Sequence, residues 1–407
     1  MNASPADFGP WPYHAPDELD AVQRVLASGR TYYWTGEEAR AFEREYAAAL
    51  GRQRAIALHN GTLALELALV TLGIGPGDEV ITTARTFIAS ASAAAVRCAT
   101  PVIADVDRDS GNLTSATVEP LITPRTKAII PVHLGGWPVE MPELMELAAA
   151  HGLAVIEDCA QAHGATVRGR PVGAFGDMAA FSFCQDKIIS TGGEGGLLAL
   201  DDEERYRRAW AYKDHGKSFA AVYEREHPPG FRWLHESFGT NWRMLEVQAA
   251  LGRLQLRKLP AWRERRRRHA ERLADALRDL PALRVPTVPA HLEHAYYRLY
   301  AYVRPEALAT GWDRQRIVDE VTAAGVPCFS GSCSEIYLER AFRDAGYGPA
   351  GRLPIARELG DTALAFLVHP TLDDEAIERT SEVVRRVVLA ATRATGGGGY
   401  GRASGPR

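Results

Sequence analysis

The sequence is poor in lysine. Only five lysines, Lys127, Lys187, Lys213, Lys217 and Lys258, stand among its 47 basic residues, and all the others are arginines. An arginine guanidinium can replace lysine as a surface charge, but it cannot supply the primary amine of a Schiff base. Few residues of this chain can therefore bind a carbonyl compound through an imine.

The sequence also lacks any run of about 18 uninterrupted apolar residues, the length that a membrane helix needs. Its N-terminus has neither a basic start nor an apolar stretch, so we expect no signal peptide. The cysteines have no metal-ligand spacing and are typical of reduced thiols in a cytoplasm. They are Cys98, Cys159, Cys184, Cys328 and Cys333. We expect a cytoplasmic protein with no membrane contact and no metal site.

Charge gives no reason to expect a nucleic-acid partner, because the net charge is -4 and the isoelectric point is near 6.3. One basic run, Arg263 to Arg268 (RERRRR), stands out. We interpret it as the solvated face of a long amphipathic helix from about Pro260 to Leu280.

Short apolar runs alternate with helical patterns between Ala55 and Leu200. The runs are Glu79–Thr82, Pro101–Val106, Lys127–His133, Leu153–Asp158, Met178–Phe183 and Gly196–Leu200. Helix-like segments, Ile88–Arg97 and Pro142–His151, lie between some of them. This alternation predicts an α/β fold, with a mostly parallel sheet between helices and ligands outside the carboxyl ends of its strands.

The pattern changes in the C-terminal part of the chain. A strand-like run, Tyr296–Val303, is followed by helical patterns at Arg314–Ala324 and Asp374–Thr392, which predicts a smaller α+β domain. The last residues are glycine-rich, which is typical of disorder. We predict a large domain at residues 1–260 that includes the N-terminal segment, a small domain at 261–392 and a disordered tail at 393–407.

The segment Asn60-Gly61-Thr62 opens an apolar helical pattern directly after a strand-like run. A helix start offers free backbone amides and the positive end of the helix dipole, which suit a phosphate. By itself the segment favours a plain helix cap, with Asn60 or Thr62 satisfying the first turn.

Glu157 and Asp158 end a predicted buried strand, where side chains point toward the ligand crevice. One carboxylate there can pair with the protonated ring nitrogen of a pyridine cofactor and keep the ring an effective electron sink. The alternative is a helix cap after the strand. His163, a few residues on, is more typical of local hydrogen bonding than of catalysis.

Lys187 lies 29 residues after Asp158, beyond the next strand and before a glycine-rich turn. Its flanks are apolar, and a desolvated amine has a lowered pKa and becomes a nucleophile. Lys127 starts a strand at the edge opposite the crevice, and the other three lysines have polar or helical surroundings. A phosphate cradle, a ring-nitrogen partner and an amine together predict pyridoxal phosphate (PLP) chemistry with Lys187 as the Schiff-base lysine.

At these residues the chain resembles the DegT-type sugar aminotransferases, a branch of the fold type I PLP-dependent transferases. The resemblance runs from the region of Trp34-Thr35-Gly36 to His369-Pro370. Matching segments include NGTLALELAL, GIGPGDEVI, TFIASASA, DVDRDSGN, ITPRTKAIIPVHLGG, IEDCAQAHGA, FSF with Lys187 and GGEGG, and FGTNWRMLEVQAALGRLQL.

The resemblance implies a role for each matching residue. Lys187 would form the Schiff base and Asp158 would hold the ring nitrogen, and both would be catalytic. The other cofactor-binding residues implied are Gly61, Thr62 and Ser182 at the phosphate, Phe87 stacked on the ring and Gln161 near its phenolic oxygen. Asn241 would reach the phosphate of the neighbouring subunit, so the resemblance implies a homodimer.

The resemblance also implies the reaction. An amino-acid donor, glutamate or glutamine, would aminate a keto sugar, most simply a nucleotide-linked keto-deoxy sugar of polysaccharide or natural-product biosynthesis. Relatives with histidine in place of the lysine act as sugar dehydratases, so Lys187 favours a transaminase. The segment at 326–335 (VPCFSGSCSE) replaces a His-Tyr pair that faces the sugar nucleotide in many members, and CQD replaces the commoner Pro-Thr before Lys187. Alternative functions are an aminocyclitol or amino-shikimate-type synthase, another PLP-dependent lyase, or a non-enzymatic regulator.

Overall fold

A seven-stranded sheet forms the centre of the protein in the computed structural model, which describes residues 8–393. In chain order the strands are β1 Arg54–Leu58, β2 Glu79–Thr83, β3 Thr100–Ala104, β4 Thr126–Ile130, β5 Ala154–Asp158, β6 Thr166–Val167, β7 Arg170–Pro171, β8 Met178–Ser182, β9 Gly196–Leu200, β10 Leu283–Arg284, β11 Leu292–Glu293, β12 Leu299–Val303, β13 Cys328–Phe329 and β14 Ala363–Phe366. The central sheet has the order β1-β9-β8-β5-β4-β2-β3.

The central sheet is parallel except for β9, which pairs antiparallel with both β1 and β8. Each of the six apolar runs predicted from the sequence overlaps one of its strands. Almost every residue of these strands is buried, because helices cover both faces of the sheet and leave no solvated side. The predicted mostly parallel α/β sheet is confirmed.

The helices connect the strands and pack on the two faces of the sheet. They are α1 Pro16–Ala27, α2 Glu38–Leu50, α3 Gly61–Leu72, α4 Ala89–Val96, α5 Ser115–Val118, α6 Met141–His151, α7 Glu203–Lys213, α8 Phe219–Tyr223, α9 Glu246–Leu277, α10 Arg314–Ala323, α11 Arg340–Ala345, α12 Pro354–Thr362 and α13 Asp374–Ala391. One core lies between β8, β9 and helix α3, and another lies between the opposite face and helices α2 and α9.

The C-terminal part contains a second sheet, with the order β10-β12-β14-β13, packed with α10, α13 and the end of α9. Its strand β12 starts at Leu299, three residues later than the strand predicted from Tyr296. Tyr296 has a φ of 50°, which extended backbone does not allow, and its amide donates to the ring of His294 at 2.7 Å. The third sheet, β11-β6-β7, is short.

Helix α9 is longer than the sequence predicted. The expected start at Pro260 is wrong, because the helix begins at Glu246 and carries Pro260 in its interior. The solvated interpretation of the basic run is also wrong for Arg266, which is fully buried and lies over the ring of Trp11. Its neighbour Arg267 does face solvent and forms ion pairs along the helix.

The predicted division at residue 260 falls inside α9, and it remains a prediction. The predicted disordered tail lies, apart from Arg393, outside the described residues. Within residues 8–393 no helix is both long enough and apolar enough to cross a membrane.

Candidate active site

Asp158 ends strand β5, and its carboxylate is held in place by two hydrogen bonds. Ser90 in α4 donates its hydroxyl to Oδ2 at 2.7 Å, and the amide of Ala160 donates to Oδ1 at 3.1 Å. Burial raises the pKa of Asp158, while these hydrogen bonds and the charge of Lys187 oppose the rise. The carboxylate is therefore fixed in an environment where a cationic partner would stabilise it strongly.

Glu157 lies on the other face of β5, because adjacent side chains of a strand alternate. Its carboxylate accepts hydrogen bonds from the backbone amides of Gly173, Phe175 and Gly176 at 2.7–2.8 Å. Burial alone would raise the pKa of Glu157, but hydrogen bonds from His133 and these amides hold it below its usual value. The expectation that both acids face the crevice is wrong for Glu157, which holds the loop before β8.

The start of α3 lies beside the end of β8. The side chain of Asn60 caps the helix by accepting from the amide of Leu63 at 2.9 Å, so the alternative of a plain cap is correct for Asn60. A Cβ on Gly61 would lie 2.6 Å from the Cβ of Ser182. Only glycine allows this approach, which brings the free amides of the first helical turn next to the Ser182 hydroxyl.

Lys187 follows β8 in a loop that is held from several sides. Its ammonium lies 3.2 Å from the carboxylate of Asp186 and 5.4 Å from the ring centre of Tyr297. The hydroxyl of Tyr297 donates to that same carboxylate. From the N-terminal segment, the indole of Trp11 donates to the backbone carbonyl of Lys187 at 3.0 Å. Both the backbone and the amine of Lys187 are therefore positioned by partners remote in sequence.

The sequence predicted that apolar flanks would desolvate the Lys187 amine, but Lys187 is not the most buried lysine of the described residues. The fully buried lysine is Lys213, whose ammonium lies 3.5 Å from the ring centre of Tyr33, and burial lowers its pKa to about 8. Polar or helical surroundings were predicted for Lys213 from the sequence, and it does end helix α7, but its side chain is buried. The position of Lys187 on a cavity distinguishes it instead.

The cavity beside Lys187 has a volume of about 670 Å³. Its lining includes Phe87 and Gln161, and the Gln161 side chain is oriented by the amide of Gly135 at 2.7 Å. Tyr297, Arg298 and part of the 326–335 segment complete it. The full lining is Thr86, Phe87, Ile88, Gln161, Asp186, Lys187, Tyr297, Arg298, Tyr300, Phe329, Gly331, Ser332, Cys333, Ile336, Glu339 and Ala365.

Other predicted or considered residues lie elsewhere. Asn241 is exposed, pairs through its backbone with Asp214 and does not line this cavity. His163 is buried and forms hydrogen bonds as expected, but its partners, the Tyr46 hydroxyl and the Ser182 carbonyl, lie 117 and 19 residues away in the sequence and are not local. The contacts of Ser90 and Trp11 cannot be predicted from the sequence, because nothing in their local pattern indicates partners 68 and 176 residues away.

These residues fit PLP group by group. The close approach of Gly61 to Ser182 leaves amides and a hydroxyl for the phosphate. The buried carboxylate of Asp158 matches the ring nitrogen, and the amine of Lys187 matches the aldehyde. Phe87 offers an aromatic face on the same cavity.

Comparison with known proteins agrees with this fit. The model of the DegT/DnrJ/EryC1/StrS aminotransferase family matches residues 12–385. A solved aminotransferase from Psychrobacter cryohalolentis is 53% identical, with a TM-score of 0.93 over 94% of this chain and 99% of that one. GDP-perosamine synthase from Caulobacter vibrioides is 40% identical over 349 residues, 86% of this chain and 89% of the relative.

A further relative is 3-amino-5-hydroxybenzoate synthase from Amycolatopsis mediterranei, 36% identical over 402 residues, which are 96% of this chain and 100% of that protein. Solved structures of similar fold include a PLP form. The chain belongs to the DegT/DnrJ/EryC1/StrS aminotransferase family and is a PLP-dependent aminotransferase of fold type I.

Proposed function

We propose that this enzyme moves an amino group from L-glutamate or L-glutamine to a keto-deoxy sugar carried by a nucleotide. The observation that carries the proposal is the cavity of about 670 Å³ that joins Lys187 to the 326–335 segment. A cavity of this size has room for a substrate in addition to the cofactor ring. The relative GDP-perosamine synthase is named after a nucleotide sugar, which supports this class of acceptor.

The geometry of the site supports the proposed roles. Gly61, Thr62 and Ser182 would bind the cofactor phosphate, Asp158 would bind the ring nitrogen, and Phe87 and Gln161 would contact the ring. Bound PLP supplies an electron sink that stabilises negative charge on the donor carbon.

Lys187 carries out the proton transfers in this scheme. Once the donor amine has taken its place, the amine of Lys187 would accept the proton from the donor Cα as a general base and would deliver it as a general acid to the former aldehyde carbon of the cofactor. Asp186 and Tyr297 orient the amine while it does so, because both contact it in the resting geometry.

The 326–335 segment forms the acceptor side of the cavity. The hydroxyl of Tyr300 accepts from the amide of Ser332 at 3.0 Å, and the amide of Thr86 donates to the carbonyl of Cys333 at 3.1 Å. The segment is thus fixed from two sides and presents Phe329, Ser332 and Cys333 to the cavity. The aromatic ring of Phe329, together with the small side chains of Ser332 and Cys333, suits one face of a deoxy sugar.

The enzyme is further proposed to work as a homodimer in the cytoplasm, making amino sugars for a polysaccharide or an antibiotic. The exposed position of Asn241 outside its own cavity supports a role in the neighbouring site. The five free cysteines are consistent with a reducing compartment.

A second candidate function is amination of a keto-cyclitol or an amino-shikimate-type precursor. This candidate function is supported by the relative named 3-amino-5-hydroxybenzoate synthase, which aligns over 96% of this chain. Assays of amine transfer to a 4-keto-6-deoxy sugar nucleotide and to a keto-cyclitol separate the two functions. Transfer to the cyclitol alone would contradict the first proposal.

The assignment of Lys187 is tested by Lys187→Ala. We expect loss of the absorbance of the lysine-bound cofactor together with loss of turnover. Lys258→Ala is the matched control, because Lys258 pairs with Asp17 and Glu18 outside the cavity. Normal turnover in the Lys187 variant would contradict the assignment.

A further inference from the structure

One guanidinium on the cavity, that of Arg298, has no carboxylate partner among the described residues. Of the four charged residues in the lining, Asp186 and Lys187 pair with each other and Glu339 is exposed. Arg298 forms no ion pair within residues 8–393. Its hydrogen bond goes from Nη1 to the backbone carbonyl of Tyr297 at 3.1 Å, which leaves most of its donors free for a ligand.

Arg298 and Lys187 flank the same aromatic ring. The guanidinium carbon of Arg298 lies 4.5 Å from the ring centre of Tyr297, and the Lys187 ammonium lies 5.4 Å from it. An anion bound by Arg298 is therefore held close to the amine that takes part in the reaction.

The surroundings of Arg298 add positive charge. Arg266 is fully buried, forms no ion pair within the described part of the chain and leaves Nε and Nη2 without hydrogen-bond partners. Burial and then the charge of Arg298 lower its pKa to about 9, so it is cationic at neutral pH. His369 is neutral there, because burial and the two arginines lower its pKa to about 3. The field on this side of the cavity favours an anion.

We propose that Arg298 binds the α-carboxylate of the amino donor, an inference that rests on the proposed function. A planar guanidinium matches a carboxylate through two parallel hydrogen bonds. The α-carboxylate stands on the carbon that bears the reacting nitrogen, so it must lie near Lys187. The diphosphate of a nucleotide sugar is separated from the keto carbon by the sugar ring and would lie farther away.

The test measures donor binding apart from turnover. The probe is 2-methyl-L-glutamate, which has no hydrogen on Cα to transfer, titrated into the holoenzyme while the cofactor absorbance is followed. Arg298→Gln is expected to raise its dissociation constant on the order of ten- to a hundredfold, and Arg298→Lys by less. Arg304→Gln is the matched control, because Arg304 is exposed at the end of β12 and does not line the cavity.

Two companion probes locate the anion. 4-Aminobutyrate keeps the amine and the distal carboxylate but lacks the α-carboxylate, so its binding is expected to change less than twofold in Arg298→Gln. The half-reaction of the aminated cofactor with the keto sugar is expected to stay within twofold as well. Retained cofactor absorbance and circular dichroism show that the variant is folded.

Three results would overturn the inference: an unchanged dissociation constant for 2-methyl-L-glutamate, an equal loss for 4-aminobutyrate, or a loss confined to the keto-sugar half-reaction. The last would assign Arg298 to the phosphates of the acceptor. Failure of the proposed function is a separate result, in which L-glutamate and L-glutamine leave the cofactor absorbance of the wild-type enzyme unchanged.

Discussion

Ser90 donates a hydrogen bond of 2.7 Å from its hydroxyl to Oδ2 of Asp158, joining helix α4 to the end of strand β5. The Ser90 hydroxyl in turn contacts the hydroxyl of Thr86 at 2.8 Å, so its orientation is fixed. Burial raises the pKa of Asp158, and this bond is the largest effect that opposes the rise. Ser90 thereby favours the charged form of this buried carboxylate.

Substitution of Ser90 by alanine should raise the pKa of Asp158 further. Since the charged carboxylate is the form that supports catalysis, the acid limb of the kcat/KM profile should move to higher pH, and kcat at neutral pH should fall about tenfold. The control is Ser92→Ala in the same helix, which does not touch Asp158. An acid limb that does not move would contradict the role of Ser90.

Substitution of Gly61 by alanine should impair cofactor binding. The new Cβ would lie 2.6 Å from the Cβ of Ser182, which is buried at the end of β8 and cannot yield. Overpacking of this kind costs about 1–3 kcal/mol, so the dissociation constant for PLP should rise about tenfold or more. Gly75→Ala is the control, because its Cβ would meet only the carbonyl oxygen of Arg97 at 3.7 Å. Equal affinities of the two variants for PLP would contradict the proposed role of Gly61 in binding the cofactor phosphate.

The sequence predicted the sheet and the placement of Asp158 and Lys187 because these depend on local patterns. Buried parallel strands leave continuous apolar runs, and the residue that ends such a strand lies at the ligand edge. A helix that opens with glycine after a strand is equally visible. The order of the strands and the proximity of Gly61 to Ser182 depend on how the whole chain folds, so these local patterns do not predict them.

Burial of charged residues could not be read from local composition. Arg266 stands in a run of arginines and Lys213 ends a polar helix, yet both are fully buried because distant aromatic rings, Trp11 and Tyr33, cover them. Glu157 is adjacent to Asp158 in the sequence, but the side chains of neighbouring strand residues point to opposite faces of the sheet, so the two carboxylates of β5 have different roles. Such outcomes are decided by tertiary contacts across large sequence separations.

His163 should make stability depend on pH. Its Nε2 donates to the carbonyl of Ser182 at 2.9 Å and its Nδ1 accepts from the hydroxyl of Tyr46 at 2.7 Å, so the folded state holds it neutral. Burial lowers its pKa to about 3. Below pH 6.5 the unfolded chain binds a proton that the folded state excludes, so stability is full above that pH and falls as the pH drops toward 3.

From this residue alone the loss of unfolding free energy between pH 7.5 and pH 5 is about 2 kcal/mol. His163→Gln should therefore lose that much less over the interval in urea denaturation, although it starts from a lower stability at pH 7.5. His294 and His369, whose pKa values burial also lowers to about 3, contribute to the remaining slope. The exposed His151→Gln variant should keep the wild-type slope, and an unchanged slope in His163→Gln would contradict the prediction.

Asn241 can be assigned to its own or the neighbouring site by mixing two inactive variants. If Asn241 serves the partner's site, a dimer of one Lys187→Ala chain and one Asn241→Ala chain carries both defects in one site and none in the other. Random mixing should then restore about a quarter of the wild-type activity. If Asn241 acts in its own subunit, each site of that dimer carries one defect and mixing restores nothing. Co-expression with two affinity tags isolates the mixed dimer, and Lys187→Ala mixed with the wild type shows how much activity one intact site supplies.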